Sequence, residues 1–166
     1  MPNTLVIGYG NPDRADDGVA YHVVNLLRQR LQQEALGPGD TGLETLGREP
    51  DSILLQQLVP ELMETAAAYQ RLVFVDAHVQ EIAEDLVFTP VEPQYVLSPF
   101  THHLTPGAFL ALTGALYGRE PTAFLLSIRG HDFDFRPELS AGTRMLVEPA
   151  VRTILGLLAS GGVQTQ

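Results

Sequence analysis

Short, continuous apolar runs alternate with segments of helical periodicity along most of this chain, and that alternation constrains the fold more than any other feature. Strands that are apolar on both faces are typical of parallel sheets, because helices cover both faces of such a sheet. The pattern therefore predicts an α/β fold with a mostly parallel sheet between two helical layers. We expect residues 1–160 to form a single α/β domain and residues 161–166 to form a flexible C-terminal tail.

Individual elements follow from the same pattern. The apolar runs predict strands at residues 5–7, 43–46, 53–58, 72–75, 86–89 and 123–128. Apolar residues at helical spacing predict helices from Asp16 or Asp17 to about residue 36, from Pro60 onward, over residues 106–116, and after a Ser140 cap. Sites on such folds form at the carboxyl ends of strands, which selects residues 8–17 and 76–78.

Charge and composition exclude several classes of function. The chain has 166 residues and a formal net charge of -10, a field that repels phosphate backbones and argues against a nucleic-acid partner. It contains no cysteine, which excludes disulfides, thiol catalysis and sulfur-based zinc sites. The N-terminus has no basic segment followed by a long apolar run, so we expect neither a signal peptide nor a membrane span, and a cytoplasmic protein.

The first candidate site follows the first strand and reads Gly8-Tyr9-Gly10-Asn11-Pro12, with Asp16-Asp17-Gly18 close behind. Asp13 stands where a dinucleotide-binding turn requires its third glycine, and the nearby carboxylates would repel a pyrophosphate. Two readings of the Asp pair remain open: capping of the helix that follows, or metal ligation.

Two further clusters add an aspartate and several histidines. Asp76 ends a buried strand and His78 follows it in what we expect to be a surface loop; His102 and His103 stand together before a helix, and one of them is expected to be functional. His22 is expected to be structural, and His131 is a candidate for contacts at the rim of a site. Two carboxylates and one imidazole would suit a divalent ion such as nickel, manganese or zinc.

Three motifs together resemble the hydrogenase maturation protease family. Residues 5–18 (LVIGYGNPDRADDG) are similar to the N-terminal signature of that family, residues 73–77 (VFVDA) to its second motif, and residues 101–106 (THHLTP) to its third. The resemblance spans nearly the whole chain. It implies a three-layer α/β/α fold around a twisted, mostly parallel five-stranded sheet.

The resemblance also implies a site and an activity. Its nickel-contacting positions correspond to Asp17, Asp76 and His102 here, preferred over Asp16 and His103 by the position of each residue within its motif. Family members remove the C-terminal extension of a hydrogenase large-subunit precursor. The nickel belongs to the precursor and serves as the recognition handle, so no permanently bound metal is expected.

One region departs from the family pattern. Many members carry an Asp-Gly-Gly-Thr-like motif after the second strand, whereas residues 56–62 here read QQLVPEL, as in a divergent branch. Two alternatives therefore stand beside the nickel-dependent endopeptidase. One is a non-catalytic maturation factor that binds a metalloprotein precursor, and the other is a small-molecule metallohydrolase.

Overall fold

One five-stranded sheet forms the centre of the protein. The structure is a computed structural model and describes residues 3–79, 83–95 and 104–160. The strands are β1 (Thr4–Tyr9), β2 (Asp51–Leu55), β3 (Arg71–His78), β4 (Leu86–Val91) and β5 (Thr122–Arg129). They lie in the order β2-β1-β3-β5-β4, and only the edge strand β4 runs antiparallel to its neighbour within the described sheet. The predicted mostly parallel five-stranded sheet is confirmed.

Helices cover both faces of this sheet, which confirms the three-layer arrangement. They are α1 (Val19–Arg30), α2 (Met63–Ala67), α3 (Pro106–Tyr117) and α4 (Ala141–Ala159). Side chains alternate along a strand, so Val6 and Val73 pack under α1 and α4 while Ile7 and Phe74 pack under α2 and α3. None of the helices in the described part of the chain is both long and apolar enough to cross a membrane.

The helix predicted to reach residue 36 ends six residues earlier. After Arg30 the chain turns back, with Gln32 at a positive φ of 57°. The Asn25 side chain donates to the Leu36 carbonyl and accepts from the Leu36 amide, at 2.9 and 2.8 Å. This return of the chain buries Leu36 in the core. Because the position of Leu36 in the sequence also fits a helical repeat, the pattern predicted a longer helix.

Three strand predictions need correction. Residues 43–45 form a short 3-10 helix instead of a strand, and β2 lies at Asp51–Leu55, two residues before the predicted start. Strand β4 continues two residues beyond the predicted end at residue 89 and includes Pro90. Proline lacks an N–H group and is tolerated at the edge of a sheet, which is where β4 lies.

Candidate active site

The carboxyl ends of β1 and β3 lie side by side at the centre of the sheet. The chain proceeds from β1 outward to β2 on one side, while β3 lies on the other side, so this is the point where the strand order reverses. A cleft of about 410 Å³ opens there. Its described lining includes both predicted aspartates and residues from four separate segments: Tyr9, Gly10, Arg14, Asp17, Gln56, Gln57, Leu58, Asp76, Leu104, Thr105 and Pro106.

Asp17 reaches the cleft from a short 3-10 helix, Ala15–Gly18, that directly precedes α1. Its half-buried carboxylate accepts a hydrogen bond of 2.9 Å from the Asn11 amide, and its own amide donates to the Arg14 carbonyl at 3.0 Å. The carboxylate therefore closes the turn that follows β1 without capping α1, whose start has no side-chain cap. The other carboxylate oxygen accepts no hydrogen bond from the described residues, and Asp17 lines the cleft.

Gly10 allows this turn to form. Its φ of 139° lies in a region that side chains disfavour, and a Cβ atom there would lie 2.0 Å from the Asp17 carbonyl oxygen. Only glycine permits the backbone that follows β1 to approach the 3-10 helix so closely. Gly10 therefore sets the position of Asp17 relative to the end of β1.

Asp16 has a different role from its neighbour. Its side chain is fully buried, and its carboxylate accepts hydrogen bonds from the amides of His131, Asp132 and Ser140 at 2.7–3.0 Å. The hydroxyls of Ser140 and Thr143 also donate to it, at 2.7 and 2.9 Å. Burial alone would raise the pKa of Asp16, but these hydrogen bonds outweigh burial and the pKa is lowered. Asp16 therefore ties the 3-10 helix to the start of α4.

Asp76 lies near the end of β3, half-buried in the cleft. Burial, together with the charge of Asp17, raises the pKa of Asp76 to about 7, against hydrogen bonds from the Ala77 amide and the Tyr9 hydroxyl that lower it. The Ala77 amide donates to the carboxylate at 2.8 Å. Burial and the nearby Asp76 charge also raise the pKa of Tyr9, so its hydroxyl stays protonated.

Tyr9 was not among the predicted site residues. The available signal was its position as the last residue of a buried strand, one residue before the glycine turn. In the register of the sheet Gly8 pairs with Val75, so Tyr9 and Asp76 follow as neighbours on adjacent strands.

The electrostatics of the cleft suit a cation. Two carboxylates, Asp17 and Asp76, face one partly desolvated space, and a divalent ion between them would offset their repulsion. Among residues 3–79, 83–95 and 104–160, no three histidine, aspartate or glutamate side chains come together as a complete metal site. His102 and His103 lie outside the described residues, as does the predicted tail. Leu104, which follows them in the chain, lines the cleft.

The remaining histidines lie away from this cleft. His78 is buried within β3 and is not in a surface loop, contrary to expectation; its ring nitrogens bond the Ser127 hydroxyl at 2.7 Å and the Glu84 carbonyl at 2.9 Å. His22 packs edge-on against Tyr21 in α1, which agrees with a structural role. His131 is exposed, and its backbone amide serves Asp16.

Comparison with solved structures identifies the class of architecture: this chain shares its fold with hydrogenase maturation endopeptidases. HybD from Escherichia coli superposes with a TM-score of 0.66 and 21% identity, covering 96% of this chain and 94% of that chain. HybD from Thermococcus kodakarensis gives a TM-score of 0.66 and 17% identity, covering 93% and 98%.

HycI from Thermococcus kodakarensis gives a TM-score of 0.64 and 20% identity, covering 95% of this chain and 92% of that chain. At these identities the likeness establishes the shared fold. No protein-family model matches the sequence, and no curated protein is significantly similar to it.

Proposed function

We propose that this chain is a hydrogenase maturation endopeptidase that removes the C-terminal extension of a nickel-loaded large-subunit precursor. The observation that carries the proposal is the meeting of Asp17 and Asp76 in one cleft at the central strand ends. It occurs on the fold of solved maturation endopeptidases, and at the two described positions that the sequence motifs select.

In the proposed reaction the carboxylates of Asp17 and Asp76 would hold the metal that the precursor brings, since their oxygens are suitable ligands for a divalent ion such as nickel. Such an ion would supply polarisation of the peptide carbonyl and a water of lowered pKa. The Tyr9 hydroxyl favours the charged form of Asp76 and so lowers its pKa. The Ala77 amide donates to Oδ1 of the same carboxylate at 2.8 Å.

His102 is proposed as the third ligand. Leu104, two positions further along the chain, lines the cleft. Two residues of chain span at most about 7 Å, so the sequence distance between His102 and Leu104 is compatible with this role. Its neighbour His103 is assigned no role in the reaction.

The direct test is incubation of the nickel-loaded precursor with the wild-type protein and with three variants, Asp17→Asn, Asp76→Asn and His102→Ala. Wild type is expected to release the tail, detected by mass spectrometry of both products. Each variant is expected to lose roughly 100-fold or more in rate, because metal polarisation is worth several kcal/mol and about 1.4 kcal/mol is tenfold. Circular dichroism should show a folded protein in every case.

Matched controls come from the same segments. Asp13→Asn changes an exposed aspartate in the turn that carries Asp17, and His103→Ala changes the histidine beside His102; both should process at the wild-type rate. Absence of cleavage by wild type, with an established maturation endopeptidase active in parallel, would refute the proposal. Binding of uncut precursor in that case would favour the non-catalytic maturation factor.

A further inference from the structure

A second cavity of about 210 Å³ lies beside the carboxylate cleft. The two share three lining residues, Tyr9, Gly10 and Gln56, so they are adjacent and border the same residues at the end of β1 and after β2. The rest of the second cavity is lined by Pro12, Tyr21, Gly37, Gly39, Asp40, Thr41, Leu54 and Leu55. We refer to it as the side pocket.

The chemistry of the side pocket differs from that of the cleft. Leu54, Leu55 and the rings of Pro12 and Tyr21 make its walls largely apolar, and its charged member, Asp40, is exposed. A volume of 210 Å³ is also smaller than the roughly 300 Å³ at which cofactor and drug-sized sites begin. The side pocket therefore fits one apolar amino-acid side chain better than a free small molecule.

The walls of the side pocket are held by hydrogen bonds. The Leu54 amide donates to the Thr41 carbonyl at 2.9 Å, and the Gly10 amide donates to the Leu55 carbonyl at 3.1 Å. The Gly37 amide donates to the Asp40 carboxylate at 3.0 Å. Residues 37–41 and the turn after β1 are thus both hydrogen-bonded to β2 or to each other. A ligand that binds here would therefore lose little free energy to ordering these segments.

From this adjacency we infer that the side pocket binds an apolar side chain of the precursor at a residue flanking the cleaved bond, and so helps to set sequence specificity. The inference rests on the proposed function. A peptide bond placed at Asp17 and Asp76 leaves its flanking side chains beside Tyr9, and the side pocket is the apolar space that opens there. Burial of that side chain would hold the bond in register with the carboxylates.

The test uses precursor variants with Ala, Leu or Phe at each of the two residues flanking the junction between the mature large subunit and its C-terminal extension. Cleavage rates at low precursor concentration give kcat/KM for wild type, Leu55→Ala and Leu55→Phe. Wild type is expected to prefer Leu over Ala at one of the two positions by roughly tenfold or more. Leu55→Ala should shift the preference toward Phe, and Leu55→Phe should shift it toward Ala.

Leu155→Ala is the matched control, because Leu155 is a half-buried leucine in α4 outside both cavities. It should keep the wild-type order of substrates. An identical order in wild type and both Leu55 variants would overturn the inference while leaving the peptidase proposal intact.

Binding of the same uncut precursors supplies a second readout. If wild type cuts none of them but binds them with a preference that changes with Leu55, the side pocket stands and the peptidase activity fails. If cleavage is absent and the binding preference does not change in the Leu55 variants, both the side-pocket inference and the peptidase proposal are overturned.

Discussion

Adjacent aspartates can have opposite tasks, and Asp16 and Asp17 illustrate the difference. Asp16 is fully buried and accepts hydrogen bonds from residues 131–143, whereas Asp17 is half-buried, closes its turn with one oxygen and lines the cleft. Residue type alone does not distinguish the two acids, although position within the motif favours Asp17 as the ligand. Burial and partners separate a carboxylate that maintains the architecture from one that is available to a substrate.

This difference predicts that Asp16→Asn destabilises the protein. An amide nitrogen in place of one carboxylate oxygen cannot accept the hydrogen bonds that Ser140 and Thr143 donate. Unsatisfied buried groups cost about 1–3 kcal/mol, more when charge is involved, so we expect a fall in Tm of roughly 5–10 °C by calorimetry. The control variant Asp13→Asn should have the same Tm as wild type. A wild-type Tm for Asp16→Asn would contradict the structural role.

Asp76 predicts a specific dependence of stability on pH in the absence of precursor. Its pKa in the folded protein is about 7, raised from 3.8, mainly by burial. Between these values the folded protein keeps a proton that the unfolded chain has released. Unfolding therefore releases a proton, and the contribution of Asp76 to stability falls as pH rises through this range.

The Asp76→Asn variant has no titrating carboxyl at this position and therefore lacks this pH-dependent contribution to stability. The Tm of wild type relative to Asp76→Asn should be higher at pH 5 than at pH 8, measured by thermal unfolding in matched buffers. Parallel Tm profiles for the two proteins across that range would show that the carboxyl titrates normally.

At the scale of elements, the turn between β1 and α1 brings the site residues together. Because Gly10 has no Cβ, the chain there can approach the Asp17 carbonyl oxygen, which would lie only 2.0 Å from a Cβ atom at this position. The 3-10 helix then positions Asp17. The sequence indicated a glycine-rich turn after a strand. It could not indicate the 3-10 helix, because that element is held by residues more than a hundred positions away.

Gly10→Ala should therefore impair the site more than strain alone explains. A matched control is Gly47→Ala, since Gly47 has a similar φ of 128° but no atom within 4 Å of its hypothetical Cβ. Strain at such a φ costs about 1–3 kcal/mol in either variant. We expect Gly47→Ala to process precursor at the wild-type rate despite a lower Tm. Gly10→Ala should lose processing, and equal activity of the two would contradict this role for Gly10.

Elements whose pattern depends on local burial were predictable, and those that depend on distant partners were not. Strand β3 is flanked by β1 and β5 and covered on both faces, so its apolar run is unmistakable. The end of α1 was missed because Asn25 holds Leu36 after a turn, and the spacing of that leucine still matches a helix. His78 was missed because its burial depends on Ser127 in β5.

At the scale of the whole molecule, the order of strands is what unites the candidate site. Asp17 and Asp76 are 59 positions apart in the sequence, yet they meet because β1 and β3 are neighbours. The sequence motifs alone indicated these residues as candidates. The rule that sites on α/β sheets form at the carboxyl ends of strands indicated where they lie. Their shared cleft and the participation of Tyr9 required the packed structure, since register and burial are properties of the assembled sheet.

The same arrangement predicts the metal content of the isolated protein. Asp17 and Asp76 give two acidic ligands, and we expect them to retain metal weakly without the precursor. Protein that is purified alone and dialysed should contain far less than one nickel or zinc ion per chain, measured by inductively coupled plasma mass spectrometry. A full equivalent that survives dialysis would favour the small-molecule metallohydrolase instead.

The network around Asp16 also has a consequence for the timing of biosynthesis. Its hydrogen-bond donors stand 115 to 127 positions downstream, so a ribosome must translate most of the message before that carboxylate is satisfied. A nascent polypeptide carries β1 and Asp17 early but leaves the 3-10 helix unsupported until α4 has emerged. The hydrogen bonds that anchor the 3-10 helix are therefore completed only when translation of the described domain is nearly finished.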